Sequence, residues 1–286
     1  MMTLIWSGLA SGAVYALVAI GYNIVFVSSQ TFNFAQAQIL IVGAFVAYNA
    51  SVTWNLPLWA VIALATAAAL VVAAVAERVA VRPVHDPDAL LVTTLGVATL
   101  LSGATQLIWG SQPLTLPFPG SSNVISVLGG RIYPFEAGLV AAPVALVLAF
   151  TYLTRRFTTG LALLAMAEDR EAATLRGVNT RRLALAAFAL AGAVGGLSSL
   201  LVGPYTFVVS NLGSELALKG FVVLAIGGFG SMGGALAGGL LVGQAEAFTS
   251  RYLGTQYSNI MIFALLLIVL LARPAGLFVR ARERVV

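Results

Sequence analysis

The chain has no cysteine, one histidine, one lysine and ten acidic residues among 286. No disulfide framework or thiolate nucleophile can be built from it, and a single histidine cannot supply a zinc-type ligand cluster. The absence of cysteine leaves the redox compartment undetermined. Charge is scarce throughout: only 9% of residues are charged, where soluble domains carry roughly a quarter. The first 76 residues contain no Asp, Glu, Lys or Arg at all. With 60% hydrophobic residues and a mean hydropathy of +0.98, a soluble fold is excluded on composition. The apolar start runs past signal-peptide length without a basic leader, so it reads as a retained first span.

What is present is a series of apolar runs. A helix rises about 1.5 Å per residue, so a hydrocarbon core of about 30 Å needs roughly 20 apolar residues. The expected fold is therefore all-α, a polytopic transmembrane helix bundle of roughly 8–10 spans. It is expected to form one transmembrane domain over residues 1–286, with no room for a separate soluble domain. Spans are expected at 4–27, 34–50, 57–76, 90–110, 135–154, 183–203, 215–230, 231–250 and 256–272. Two places stay open. Residues 28–38 are polar but uncharged, and form a loop or a segment tucked into the bundle where protein satisfies its backbone. The glycine-rich stretch 227–234 is a surface turn or a broken helix.

Basic residues set the orientation, because Lys and Arg accumulate on the cytoplasmic side. With nine spans, one side holds twelve arginines: Arg78, Arg82, Arg155, Arg156, Arg170, Arg176, Arg181, Arg182, Arg273, Arg280, Arg282 and Arg284. The other holds Arg131, Lys219 and Arg251. This predicts a cytoplasmic C-terminus and an outer N-terminus, with Ser122 outside and Thr180 inside. Trp6, Trp54, Trp59 and Trp109 then fall near the outer interface, where amphipathic rings are favoured. The net charge of +5 is this same bias and implies no nucleic acid.

Glycine pairs four apart, Gly8/Gly12, Gly192/Gly196, Gly230/Gly234, Gly234/Gly238 and Gly239/Gly243, let helices approach closely in lipid. Glu246 is the one carboxylate placed inside a span, and Glu215 with Lys219 has the i, i+4 order of a helical ion pair. Catalytic signatures are missing. His85 lies in a charged loop, Ser231 lacks the flanking glycine of a nucleophile elbow, and the only lysine follows Leu218, so there is no phosphate-binding Gly-Lys-Ser/Thr loop. The chain is not expected to be an enzyme or to bind a cofactor.

The exception to the low charge is the loop at about 155–182, nine charged residues in 28. Within it residues 171–177 read as a short helix, with Glu168, Asp169 and Glu171 toward its positive N-terminal end, Arg176 toward its C-terminal end and Gly177 as its stop. Ala172, Ala173 and Leu175 would let such a helix lie in a groove of another protein, with Arg170 and its neighbours fixing the register.

Glu171-Ala172-Ala173 followed by three residues and Gly177 resembles the coupling loop of ATP-binding-cassette importer permeases. The longer run from Ala167 through Ala173, with Gly177-Val178-Asn179, is similar to the LivH-type branched-chain amino acid permeases. Asn33-Phe34-Ala35 with Gly43-Ala44, and Lys219-Gly220-Phe221 through Gly227-Gly228-Phe229-Gly230-Ser231, resemble two further regions of that family. The resemblance implies an inner-membrane subunit working with a second permease chain, homologous or identical. Two cytoplasmic ATPase subunits would carry ATP and Mg, and an extracytoplasmic binding protein would deliver substrate. Glu168, Asp169, Arg170, Glu171, Ala172, Ala173, Leu175 and Gly177 would then couple to the ATPase. Members of the family commonly carry His and Glu where this chain has Gln36 and Gln38, so these, with Asn33, are candidates for the translocation path. Branched-chain or other hydrophobic amino acids are the expected cargo, with urea or short amides, or a stand-alone secondary transporter, as alternatives.

Overall fold

Backbone N–H and C=O groups have no partners in lipid, so apolar runs of this length satisfy them internally as helices. The computed structural model of the chain describes residues 1–84, 86–117, 125–127 and 130–278. His85, Ser122, Arg280, Arg282 and Arg284 lie outside the described residues. In order, the helices are α1 (Met2–Ser29), α2 (Ala35–Tyr48), α3 (Leu58–Ala76), α4 (Pro87–Trp109), α5 (Pro134–Arg156) and α6 (Thr158–Glu168), followed by α7 (Arg170–Leu175), α8 (Thr180–Thr206), α9 (Leu212–Gly227), α10 (Met232–Tyr252) and α11 (Ser258–Ala272). The π-helical turns Asn49–Thr53 and Glu77–Val81 extend α2 and α3. A small antiparallel hairpin, β1 (Ile125–Val127) and β2 (Gly130–Ile132), lies between α4 and α5. Neither the hairpin nor α6 is expected from hydropathy, because both fall where the sequence reads as loop.

Seven described helices are long and apolar enough to cross a membrane, and α9 with α10 forms a further pair bent by 118°. The centre of the bundle is an antiparallel seam between α1 and α10. A Cβ on Gly12 would sit 2.7 Å from the Gly239 carbonyl oxygen, and one on Gly239 would sit 2.7 Å from the Ala16 Cβ. Only glycine permits that approach, which trades side-chain volume for backbone contact. The same device joins α8 to α3, where a Cβ on Gly192 or Gly196 would meet the carbonyl of Ala69 or Ala65 at 2.6 Å.

The seam also fixes the ends. Tyr252 reaches Met1 at one end of α1, and Asn23, near the other end, holds the glycine turn by accepting from the Gly230 N–H (2.8 Å) and donating to the Ser231 carbonyl (2.9 Å). The backbone N–H of Leu277 donates to the Ile226 carbonyl (2.9 Å), so the described chain ends at the turn's end of the bundle, opposite Met1. The glycine-rich stretch is thus a turn between two helices at that end. Gly228 and Gly230 take φ of +96° and +80° there, a region that glycine enters without steric cost. Gly230 consequently stands outside any helix and does not form the packing pair expected with Gly234.

Residues 30–34 do tuck into the bundle. Phe34 meets Tyr22 edge-on at 6.5 Å, and the Gln36 side chain lies against Gly21. Gly21 is eight residues, about 12 Å of helix, back from Ser29. The chain therefore re-enters before α2 begins.

Candidate functional site

The arginines at the turn's end surround α7, and the reason α7 forms is local. Asp169 accepts hydrogen bonds from the N–H groups of Glu171 and Ala172, both 2.9 Å, satisfying two donors that a helix start leaves free. Thr174 donates to the Arg170 carbonyl at 2.8 Å. Gly177, at φ +86°, ends the helix while its N–H bonds the Thr174 carbonyl and Val178 N–H returns to Ala173. Asn179 then caps α8 by accepting from Arg182 N–H (3.1 Å).

The helix divides its residues between two sides. Ala173 is buried against its own chain, whereas Ala172, Thr174, Arg176 and the charged residues face out. Leu175 is 89% exposed, an apolar side chain held at the tip of a rigid turn. Ala173 therefore anchors the loop to the bundle, and only Ala172 and Leu175 of the three small or apolar residues are offered to a partner.

The three sequence motifs converge at this end. Gln30 donates to the Ala167 carbonyl (3.3 Å), linking the re-entrant segment to the start of the charged loop. Phe32 lies 5.3 Å from Phe26, 5.3 Å from Phe221 and 5.0 Å from Phe229, between ring centroids. A cavity of about 570 Å³ opens between the end of α1, α6 and the glycine turn, and Glu168, Ala167, Phe229 and Ser231 line it. The phenylalanine cluster was hidden in the sequence, since its members lie up to 203 residues apart.

Asn33, Gln36 and Gln38 are all buried. Asn33 accepts from Ala35 N–H (3.2 Å), Gln36 donates to the Ala191 carbonyl of α8 (2.8 Å), and Gln38 donates to the Ser210 carbonyl (3.0 Å). Each also keeps a buried polar atom without a partner: Asn33 Nδ2, Gln36 Oε1 and Gln38 Oε1. Gln36 and Gln38 cross-tie α2 to its neighbours at the depth where it starts, and Asn33 ties only the start of α2 itself.

A second polar centre lies inside the bundle. Lys219 Nζ is 2.9 Å from Glu215, 2.8 Å from Glu246 and 3.1 Å from the Tyr15 hydroxyl, which itself donates to Glu246. Lys219 is only 9% exposed, so within its span, counted toward the outer side, it faces the bundle interior. The ion pair with Glu215 forms as the spacing predicts. What spacing could not show was Glu246, though a lone carboxylate and a lone ammonium in adjacent apolar spans are a signal, because isolated charges there are expensive.

These features define a polytopic helical membrane protein that ties its interior charge together and presents a capped, exposed helix at one end. Residues 4–270 match the family described as branched-chain amino acid transport system / permease component, and the chain belongs to that family. It is 32% identical to the high-affinity branched-chain amino acid transport system permease protein LivH of Salmonella typhimurium, covering 96% of this chain and 94% of that protein. It is 31% identical to BraD of Pseudomonas aeruginosa, with the same coverage. A solved structure of PsaBC from Streptococcus pneumoniae in complex with Fab has a similar fold, with a TM-score of 0.51 over 92% of this chain and 90% of that one at 11% identity.

Proposed function

We propose that this chain is the membrane-spanning permease subunit of an ATP-binding-cassette importer for branched-chain amino acids, the cargo named for its relatives LivH and BraD. The observation that carries the reading is α7. A loop that merely faced water would have no need of a capped single-turn helix with Leu175 held out into solvent, while a groove on a partner ATPase would bury it. In this reading Glu168, Asp169, Arg170, Glu171, Ala172, Leu175 and Gly177 form the coupling surface, with Ala173 as its anchor. ATP and Mg belong to the ATPase subunits, and no catalytic step is assigned to this chain. A second permease chain completes the pore, and an extracytoplasmic binding protein delivers cargo.

The convergence of the three motifs supplies a route for coupling. Force on α7 passes through Ala167 to Gln30, and through the phenylalanine cluster to the glycine turn and α9. Asn33, Gln36 and Gln38 are proposed to border the path, since each spends one polar atom on a backbone bond and holds another buried and unpaired. The α7 end is proposed to be cytoplasmic. Arg78, Arg82, Arg155, Arg156, Arg170, Arg176, Arg181, Arg182 and Arg273 gather there, and the four tryptophans sit at the other end.

The test is reconstitution of the chain with its ATPase and binding-protein partners in nanodiscs. Leucine-loaded binding protein should stimulate ATP hydrolysis, and liposomes holding the whole complex should take up leucine only with ATP. Uptake by this chain alone would overturn the reading in favour of a secondary transporter. Impermeant thiol labelling of Asn55→Cys in intact cells, and of Thr180→Cys only after permeabilisation, checks the orientation.

A further inference from the structure

A second cavity of about 570 Å³ lies on the other side of α7, enclosed by the ends of α1 and α3 and the starts of α4 and α8. Three arginines from three separate segments line it: Arg82 after α3, Arg170 on α7 and Arg181 in the first turn of α8. Among the described residues, the only acid lining it is Glu77, which is buried and engages Arg82 loosely, with Oε1 3.7 Å from Nε. Its Oε2 is buried and unpaired. Neither Arg170 nor Arg181 has an ion pair among the described residues. The cavity thus carries three guanidinium groups against one carboxylate. Its remaining wall joins the hydroxyls of Ser29 and Thr31 to an apolar side that includes Val81, Leu90 and Phe188.

Arg170 and Arg181 are exposed at the mouth of this space, and three like charges gathered around it favour an anion there. Guanidinium suits phosphate in particular, because its planar donors pair with two oxygens at once. The cavity is also amphipathic, and it sits where α3 and α4 turn their apolar faces outward: Val79 is 70% exposed and Val92 71% exposed. A phosphate on a hydrocarbon body matches both walls, whereas a soluble anion would leave the apolar wall unused. Basic pockets between helices at the cytoplasmic face are where acidic lipid headgroups bind.

The geometry points to a binding site for an acidic phospholipid, its phosphate held by Arg82, Arg170 and Arg181 and its acyl chains lying along α3 and α4. Because the three arginines belong to the α3–α4 turn, α7 and α8, one headgroup bridges the coupling helix to the body of the bundle. A bilayer rich in acidic lipid would therefore hold α7 in place and strengthen its coupling. The inference rests on the reading of the α7 end as cytoplasmic and of α7 as the coupling helix. The retention of lipid can be measured without transport, so the two readings fail separately.

The experiment uses the full-length chain, alone and assembled with its ATPase subunits, in nanodiscs of phosphatidylethanolamine doped with phosphatidylglycerol. Native mass spectrometry after detergent release counts the lipids retained. Wild type should retain phosphatidylglycerol over phosphatidylethanolamine. Arg82→Gln combined with Arg181→Gln should weaken that retention by about tenfold or more, through loss of charge-assisted bonds. Arg251→Gln, at the opposite end, should not, and unchanged melting of all variants separates lost binding from lost folding. Equal retention of the two lipids, or equal retention by the double variant, overturns the proposal. So does displacement of the lipid by millimolar inorganic phosphate, which would mark a soluble-anion site, or its expulsion on ATPase assembly, which would assign the cavity to an acidic segment of the partner.

Discussion

This chain concentrates charge in two places, and treats it in opposite ways. Inside the bundle, Lys219, Glu246 and Tyr15 satisfy one another across α1, α9 and α10, and the exposed Glu215 closes the cluster at its edge. Around α7 the charges are capped only enough to shape the helix and otherwise face outward. The difference follows from the surrounding medium. Within the membrane an unpaired ion is too costly to keep, so interior charge is committed to holding helices together. At the end of the bundle water tolerates charge, which can therefore stand at the surface within reach of other molecules. The first centre should therefore govern folding, and the second association.

The largest effect that would break this contrast is expected from Lys219→Met. It strands Glu246 among apolar helices, and removing one partner of a buried pair costs about 3–5 kcal/mol. Detergent-solubilised yield and melting temperature should both fall. The double variant Lys219→Met with Glu246→Gln should recover part of the loss, because no ion is then left stranded. Melting of the single variant at the wild-type temperature would mean that the cluster does not hold the bundle.

Gly12→Leu should follow. Its side chain would collide with the Gly239 carbonyl across the α1–α10 seam, and overpacking costs about 1–3 kcal/mol. Gly103→Leu on α4, where none of the described residues lies within reach, is the matched control and should melt as wild type does. Similar losses in both would mean that the seam is no tighter than the bundle's outer face.

The charged end should show the reverse. Glu171→Arg places a like charge beside Arg170 and removes an acid from the helix start, and Ala172→Trp adds bulk to the exposed face. Neither touches the interior, so permease melting should hold. If the contact is centrally buried against the ATPase, losing about 2 kcal/mol weakens association about thirtyfold. Co-purification of the ATPase and its stimulated hydrolysis are the readouts. Wild-type values in both variants would remove α7 from the coupling role.

The smallest effect sharpens the comparison at its boundary. Gln36→Ala and Gln38→Ala each delete one hydrogen bond to a neighbouring carbonyl, worth about 1 kcal/mol. If these amides also border the path, apparent affinity for leucine should change while complex yield holds. Parallel loss of yield and transport would leave them as tethers alone.

Much of the architecture was legible in the order of the residues. Span length follows from helix rise and bilayer thickness, so the nine apolar runs matched helices to within a few residues, and Gly177 announced the end of α7 because a left-handed backbone is a local requirement; Asp169, read only as an acid near the helix start, is its cap. The sequence by itself determined that this is a polytopic helix bundle whose longest charged stretch is one loop, and its motifs pointed to the family. Only the tertiary structure decided that Glu246 completes the Lys219 centre, that Ala173 faces inward, that residues 30–34 re-enter the bundle, and that Phe26, Phe32, Phe221 and Phe229 join the three motifs. Hydropathy and capping act over one or two helical turns and are written in adjacent residues. Which helix faces which is settled by glycine contacts and charge pairing between segments far apart in the chain, and those terms exist only once the helices have packed.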